Sequence, residues 1–162
     1  MELHVTFRVG TATYAVPAAQ VLHLESYETA MPVPGAPAYV AGLVQVRGRL
    51  VPVVDLRSRF GLPQSGATRR TKWIVVNLGA LAALVVDRVV DVFGTHGAEL
   101  RPAPDLGGGD DQRGILGVTS HDGKLTFVLD LARLRPVLES AMAGLRGSSP
   151  PARQSSPVGG RP

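Results

Sequence analysis

The stretch Val40-Ala-Gly-Leu-Val-Gln-Val-Arg-Gly-Arg-Leu-Val-Pro-Val-Val-Asp-Leu56 decides the fold, because the chain carries it twice. Its second copy is Ile115-Leu-Gly-Val-Thr-Ser-His-Asp-Gly-Lys-Leu-Thr-Phe-Val-Leu-Asp-Leu131. The copies align without a gap at an offset of 75, and six of 17 positions are identical. These are Gly42/Gly117, Gly48/Gly123, Leu50/Leu125, Val53/Val128, Asp55/Asp130 and Leu56/Leu131. Each copy reads as two valine-rich strands joined by a tight turn, where Gly48 and Gly123 supply the positive φ such turns demand. Asp55 and Asp130 each precede a Leu. There a carboxylate accepts hydrogen bonds from the first free N–H groups of a helical turn. A catalytic acid pair is the competing reading of these two aspartates, and capping is the simpler one.

Working outward, the same period-2 signature recurs. Leu3, Val5, Phe7 and Val9 alternate with His4, Thr6 and Arg8, as in a half-buried strand. Gly10-Thr11 turns into a second strand carrying Tyr14 and Val16, and Val9-Gly10 is weakly echoed by Leu78-Gly79. Further strands are expected at Val21–Ser26, Leu43–Arg47, Leu50–Asp55, Trp73–Leu78, Leu81–Val86, Val89–Phe93, Ile115–Thr119 and Leu125–Leu129. About ten short strands suggest one or two small barrels or a sandwich, and the repeat favours two similar small barrels. Helix is confined to the end: Asp130 caps a turn from Leu131, and Pro136 starts a second, short C-terminal helix.

Breaks in this pattern set the organisation. A polar stretch at 61–72 is the approximate division between the barrels, within one domain spanning 1–143. From Gly144 to Pro162, twelve of 19 residues are Gly, Pro or Ser, so a disordered tail is expected there. The segment 101–114, with Gly107 to Gly109 beside Asp110 and Asp111, reads as a solvated loop.

A pI near 10.1 invites a nucleic-acid partner. However, Arg146, Arg153 and Arg161 lie in the tail, and Arg69, Arg70 and Lys72 form one short run. Without these six, 11 bases face 13 acids, and no basic groove is legible. Aromatic residues make up 5%, and no stripe of Phe or Tyr interleaved with cations is evident. A small-barrel nucleic-acid binder is therefore the alternative reading, not the leading one. Cysteine is absent, which removes disulfides, thiolate nucleophiles and cysteine-bound zinc. The longest apolar run, Leu81–Val86, falls far short of the roughly 20 residues that span a bilayer. Met1–Val9 lacks a signal-peptide layout, and a cytoplasmic protein is expected. His4, His23, His96 and His121 show no metal-ligand spacing. No phosphate loop, dinucleotide pattern or nucleophile elbow occurs. No enzyme, no metal and no cofactor are expected.

The hairpin Gly42–Leu56 resembles the signature of CheW-like domains: a Gly, a strand ending in Asn-x-Arg-Gly, then an apolar strand with Pro-Val and Asp-Leu. Tyr14–Leu24 resembles that family's early strand-turn-strand, and Val33–Val40 its Pro-x-x-Pro approach. Val75–Gly79, Val85–Val92 and Leu100–Asp105 continue the likeness in order, over residues 3–142. The resemblance implies a non-catalytic, mainly β adaptor with two small five-stranded SH3/OB-like barrels packed together, the first strand able to join the second barrel. It implies coupling of a chemoreceptor's cytoplasmic tip to the regulatory domain of a CheA-like histidine kinase, in membrane-associated arrays without membrane insertion. It implies that the receptor's helical hairpin tip lies in an apolar groove between the barrels, and it assigns that contact to Val21, Gly42 and Arg47. A core role for Val21 and a bulge role for Gly42 are the competing readings. Two further partner-contact positions, His23 and Gln45, depart from the family pattern: Gln45 stands for its Asn, and His23 for its common Glu.

Overall fold

The computed structural model describes residues 2–95, 100–102, 114–136, 138, 139 and 142. The expected tail at 144–162 and the Gly107–Asp111 loop lie outside the described residues. Ten strands form: β1 (Glu2–Val9), β2 (Ala12–Pro17), β3 (Val21–Ser26), β4 (Val40–Val46) and β5 (Arg49–Asp55). After α1 (Leu56–Arg59) come β6 (Lys72–Asn77), β7 (Leu81–Val86), β8 (Arg88–Thr95), β9 (Ile115–His121) and β10 (Lys124–Leu129). They make two five-stranded sheets, ordered β8-β1-β2-β10-β9 and β3-β6-β7-β5-β4. Strand existence follows the hydrophobic alternation closely. The C-terminal helix is present too: Arg135, Pro136, Leu138, Glu139 and Met142 are helical.

The two orders are the same architecture twice. In each sheet one pair is parallel: β5 with β7, and β10 with β2. The edge hairpins β4–β5 and β9–β10 are the two copies of the sequence repeat, and the correspondence extends to backbone detail. Each turn has positive φ at both central residues, Arg47 (50°) and Gly48 (83°) against Asp122 (52°) and Gly123 (74°). That is the type I′ geometry whose twist suits a hairpin. Each edge strand is crossed by an isolated bridge, Met31 to Leu43 and Arg101 to Val118. Asp55 N–H donates to Tyr39 at 2.7 Å, as Asp130 N–H does to Gly114.

The segment 61–72 does not divide the two units. It connects α1 to β6, and β6 and β7 lie in the same sheet as β3, β4 and β5. The first strand does join the later unit, and β2 goes with it, pairing in parallel with β10. One copy is thus β3 to β7 in sequence order, and the other is β8 to β10 completed by β1 and β2. A hairpin repeat marks where copies lie but carries no local information on which distant strand closes each sheet.

Each sheet curls around a small core of its own. Val44, Val46, Val51, Val53, Trp73, Val75 and Ala83 fill one, and Ala15, Phe93 and Val128 the other. The largest cluster lies between the sheets, joining Phe7, Tyr14 and Val16 to Ile74, Val76 and Leu84. The edges of a flat five-stranded sheet lie about 19 Å apart, beyond the reach of two side chains. Yet Arg47 Nη2 is 3.8 Å from Glu25 Oε2, linking the β4–β5 turn to β3 at the opposite edge. In the other sheet His121 Nε2 is 3.8 Å from Asp91 Oδ2, linking β9 to β8. Side chains therefore meet across both seams. Main-chain pairing across either seam is not seen among the described residues.

Candidate functional site

Arg47 projects from the tip of the β4–β5 turn with a side chain 70% exposed, and Glu25 is its one ion-pair partner among the described residues. Asp55 and Asp130 are caps. Asp55 Oδ1 accepts from Arg57 N–H at 3.0 Å and Asp130 Oδ1 from Ala132 N–H at 3.1 Å. Both thus serve the first turn after their strands, and they belong to different sheets.

The five residues implied as partner contacts do not form one cluster. Val21 pairs with Val76 and packs half-buried against the core between the sheets. His23 pairs with Val75, on the opposite face of β3. A register shift at Leu22 causes this: in a regular strand residues two apart share a face, and the bulge breaks the parity. His23 and Glu25 thus share the face that Arg47 approaches. Gln45 is exposed on the outward side of β4, opposite Leu50. Gly42 is buried, with φ of 146°, and a Cβ added there would overlap the Met31 carbonyl oxygen. Met31 and Leu43 exchange both backbone hydrogen bonds at 2.8 Å, so that approach is fixed. Gly117 repeats the arrangement, since a Cβ there would stand 2.6 Å from Arg101 O.

Two grooves open on the surface. One runs between the sheets, where the edges β3 and β8 face each other. It encloses about 400 Å³ and is lined by Leu24, Val89, Arg69, Arg70, Lys72 and Arg88. The other, also about 400 Å³, lies between β5 and the C-terminal helix, with Leu50, Pro52, Leu81, Leu138 and Met142 among its walls. The resemblance implies an apolar groove between the two units, but the cations of the first groove are not legible in the sequence. Its basic run reads as a linker until Arg88 is brought against it from another strand.

The sheets are also joined by a charged staple. Arg57 Nε and Nη2 donate to Asp87 Oδ1 and Oδ2 at 3.1 and 2.7 Å, while Asp87 Oδ2 also accepts from Gly10 N–H at 2.7 Å. Arg57 belongs to α1 and Gly10 to the β1–β2 turn, so one carboxylate ties the two units. The hydrogen bonds Arg57 donates to Asp87 raise the Arg57 pKa above its ordinary value; burial opposes this, and the charges of Asp87 and Asp55 add to it.

This architecture has known counterparts. The family model of the CheW-like domain matches residues 3–137. The chain is 29% identical over 140 residues to the chemotaxis protein CheW of Rhizobium meliloti (strain 1021), covering 86% of this chain and 90% of that protein. It is 29% identical over 130 residues to chemotaxis protein CheW of Bacillus subtilis (strain 168), covering 80% and 83%. The crystal structure of the scaffolding protein TtCheW from Thermoanaerobacter tengcongensis superposes with a TM-score of 0.73 at 26% identity, over 80% of this chain and 84% of that one. With both sheets, both repeat hairpins and the seam residues inside the matched span, the chain belongs to the CheW-like domain family, whose members are chemotaxis scaffolds and not enzymes.

Proposed function

We propose that this chain couples a chemoreceptor to a CheA-type histidine kinase, holding the receptor's cytoplasmic hairpin tip and the kinase's regulatory domain at once. The observation that carries the reading is the CheW-like match over residues 3–137 on a fold with an open groove between its two units. A helical hairpin is the shape such a groove accepts, with apolar ridge residues seated on Leu24 and Val89. Val21 borders that face through the core beneath it, and Arg47 stands beyond the seam on the other side of β3. In this reading Arg47 pairs with a partner carboxylate or carbonyl, exchanging its exposed contact with Glu25 for a desolvated one. His23 lies on that side of β3. Gln45 with Leu50 offers a separate outward surface beside the C-terminal helix, the one suited to a second partner. Gly42 acts by keeping β4 beneath Met31, so its contribution to binding is indirect. The work takes place in the cytoplasm, with recruitment to membrane-associated receptor arrays, and no helix among the described residues is long and apolar enough to cross a membrane.

The test is a pull-down of the cognate kinase's regulatory domain and of a receptor tip fragment, with wild type and Arg47→Glu. Wild type retains both, at individual affinities of about micromolar strength that array multivalency then multiplies. Arg47→Glu loses the receptor fragment and keeps the kinase. Retention of neither partner by wild type contradicts the coupling role. Unchanged receptor binding by Arg47→Glu contradicts the assignment of Arg47.

A further inference from the structure

Four cations converge on the groove between β3 and β8. Arg69 and Arg70 come from the turn before β6, Lys72 from the start of β6, and Arg88 from the start of β8. The two remaining lining residues, Leu24 and Val89, are apolar, and Leu24 is 50% exposed. Among the described residues none of the four cations has an ion-pair partner, and no carboxylate lines the groove. Lys72 Nζ reaches only the Arg69 carbonyl, at 3.5 Å. Elsewhere arginines at structural joints are matched: Arg47 with Glu25, Arg57 with Asp87, Arg133 with Asp130 and Arg135 with Glu139.

Like charges gathered around an apolar floor repel one another and focus a positive potential into the groove. Folding alone gains nothing from this, and a carboxylate-bearing occupant relieves it. We infer that the groove selects an acidic amphipathic helix, seating the helix's apolar ridge on Leu24 and Val89 and its Asp or Glu flanks against Arg69, Arg70, Lys72 and Arg88. A single-stranded nucleic acid fits less well, because no lining residue is aromatic and none can stack a base. A phosphate-bearing lipid surface leaves the Leu24 floor unused. The inference rests on the receptor-binding reading above and deepens it: the rim sets which receptor tips are accepted, through their charge.

The experiment is fluorescence anisotropy of a labelled fragment of the cognate receptor's hairpin tip, titrated with the full chain between about 50 and about 300 mM salt. The variants are Arg69→Glu/Arg70→Glu, Arg88→Glu, a charge-preserving Arg69→Lys/Arg70→Lys and a floor variant, Leu24→Asp. Thermal melts confirm that each is folded. Wild type and the Lys pair are expected to lose about tenfold in affinity across that salt range. The Glu variants are expected to bind about tenfold more weakly at low salt, with the salt dependence flattened. If the Glu variants bind like wild type while Leu24→Asp does not bind, the groove reading stands and the charge selection is overturned. If wild type binds no receptor fragment at any salt, both fall. Tighter binding to phosphatidylserine vesicles or to a single-stranded RNA, lost in the Glu variants, overturns the helical occupant.

Discussion

Gly42 and Gly48 sit in one hairpin, and different forces hold them as glycine. Gly48 has φ of 83° and nothing within 4 Å of an added Cβ, so its constraint is the left-handed backbone alone. Gly42 faces the Met31 backbone, which two hydrogen bonds pin in place. Gly48→Ala should cost about 1 kcal/mol, the ordinary penalty for a left-handed L-residue. Gly42→Ala should cost about 2–4 kcal/mol, because the clash is with main chain that cannot yield. Urea midpoints compare the two directly, and equal losses would contradict the account. The sequence marks both glycines as turn or bulge elements, but it cannot show that Met31 crosses above one of them. The Arg57–Asp87 staple was equally hidden. Its residues lie in different segments, and their meeting depends on the packing of the two sheets. Its side chains are 19% and 33% exposed, which discounts the value of a fully buried pair, so Arg57→Ala should cost about 2 kcal/mol. A cation whose pKa is raised on folding adds stability that is lost only as pH climbs through that raised value. The difference between wild type and Arg57→Ala should therefore stay constant from neutrality to about pH 10. A difference that collapses within this range would count against the pairing.

At the scale of elements, all ten strands and the two capped turns were legible, because alternation, turn glycines and Asp-Leu steps are local signals. The bulges at Leu22 and Ala41 were not legible, since a bulge is defined by the partner strand's register. That matters for function: the bulge at Leu22 separates Val21 from His23, which a regular strand would place on one face. The type I′ turn yields a clean way to separate binding from folding. At Arg47 the backbone has φ of 50°, a conformation that Asn tolerates better than Arg. Arg47→Asn should therefore keep or raise stability by about 0.5 kcal/mol while removing the charge that reaches Glu25. Calorimetry paired with the receptor pull-down reads both effects. A fall in stability comparable to a lost core contact would show that the ion pair across the seam holds the sheet, contrary to this account.

For the whole molecule, the largest core lies between the sheets, and one unit is completed by the first two strands of the chain. The sequence repeat marks two similar units but not their interleaving, because strand order depends on contacts far apart in sequence. One unit is drawn from both ends of the chain and the largest core is shared, so neither unit is expected to unfold alone. Trp73, the only tryptophan, is buried in the core of the β3–β7 unit and reports on that unit, whereas far-ultraviolet circular dichroism reports on both. The two transitions should coincide in denaturant, and Leu84→Ala, in the shared core, should shift both together by about 2–5 kcal/mol. Separate transitions would contradict a shared core. A shared core with a cationic groove between the units and a second groove by the C-terminal helix suits the proposed hold on two partners at once. The most direct measurement is co-elution of the full chain with the cognate CheA-type kinase and a receptor tip fragment on size-exclusion chromatography. The account predicts one ternary peak in which receptor and kinase associate only when this chain is present; receptor and kinase eluting apart in its presence would contradict it.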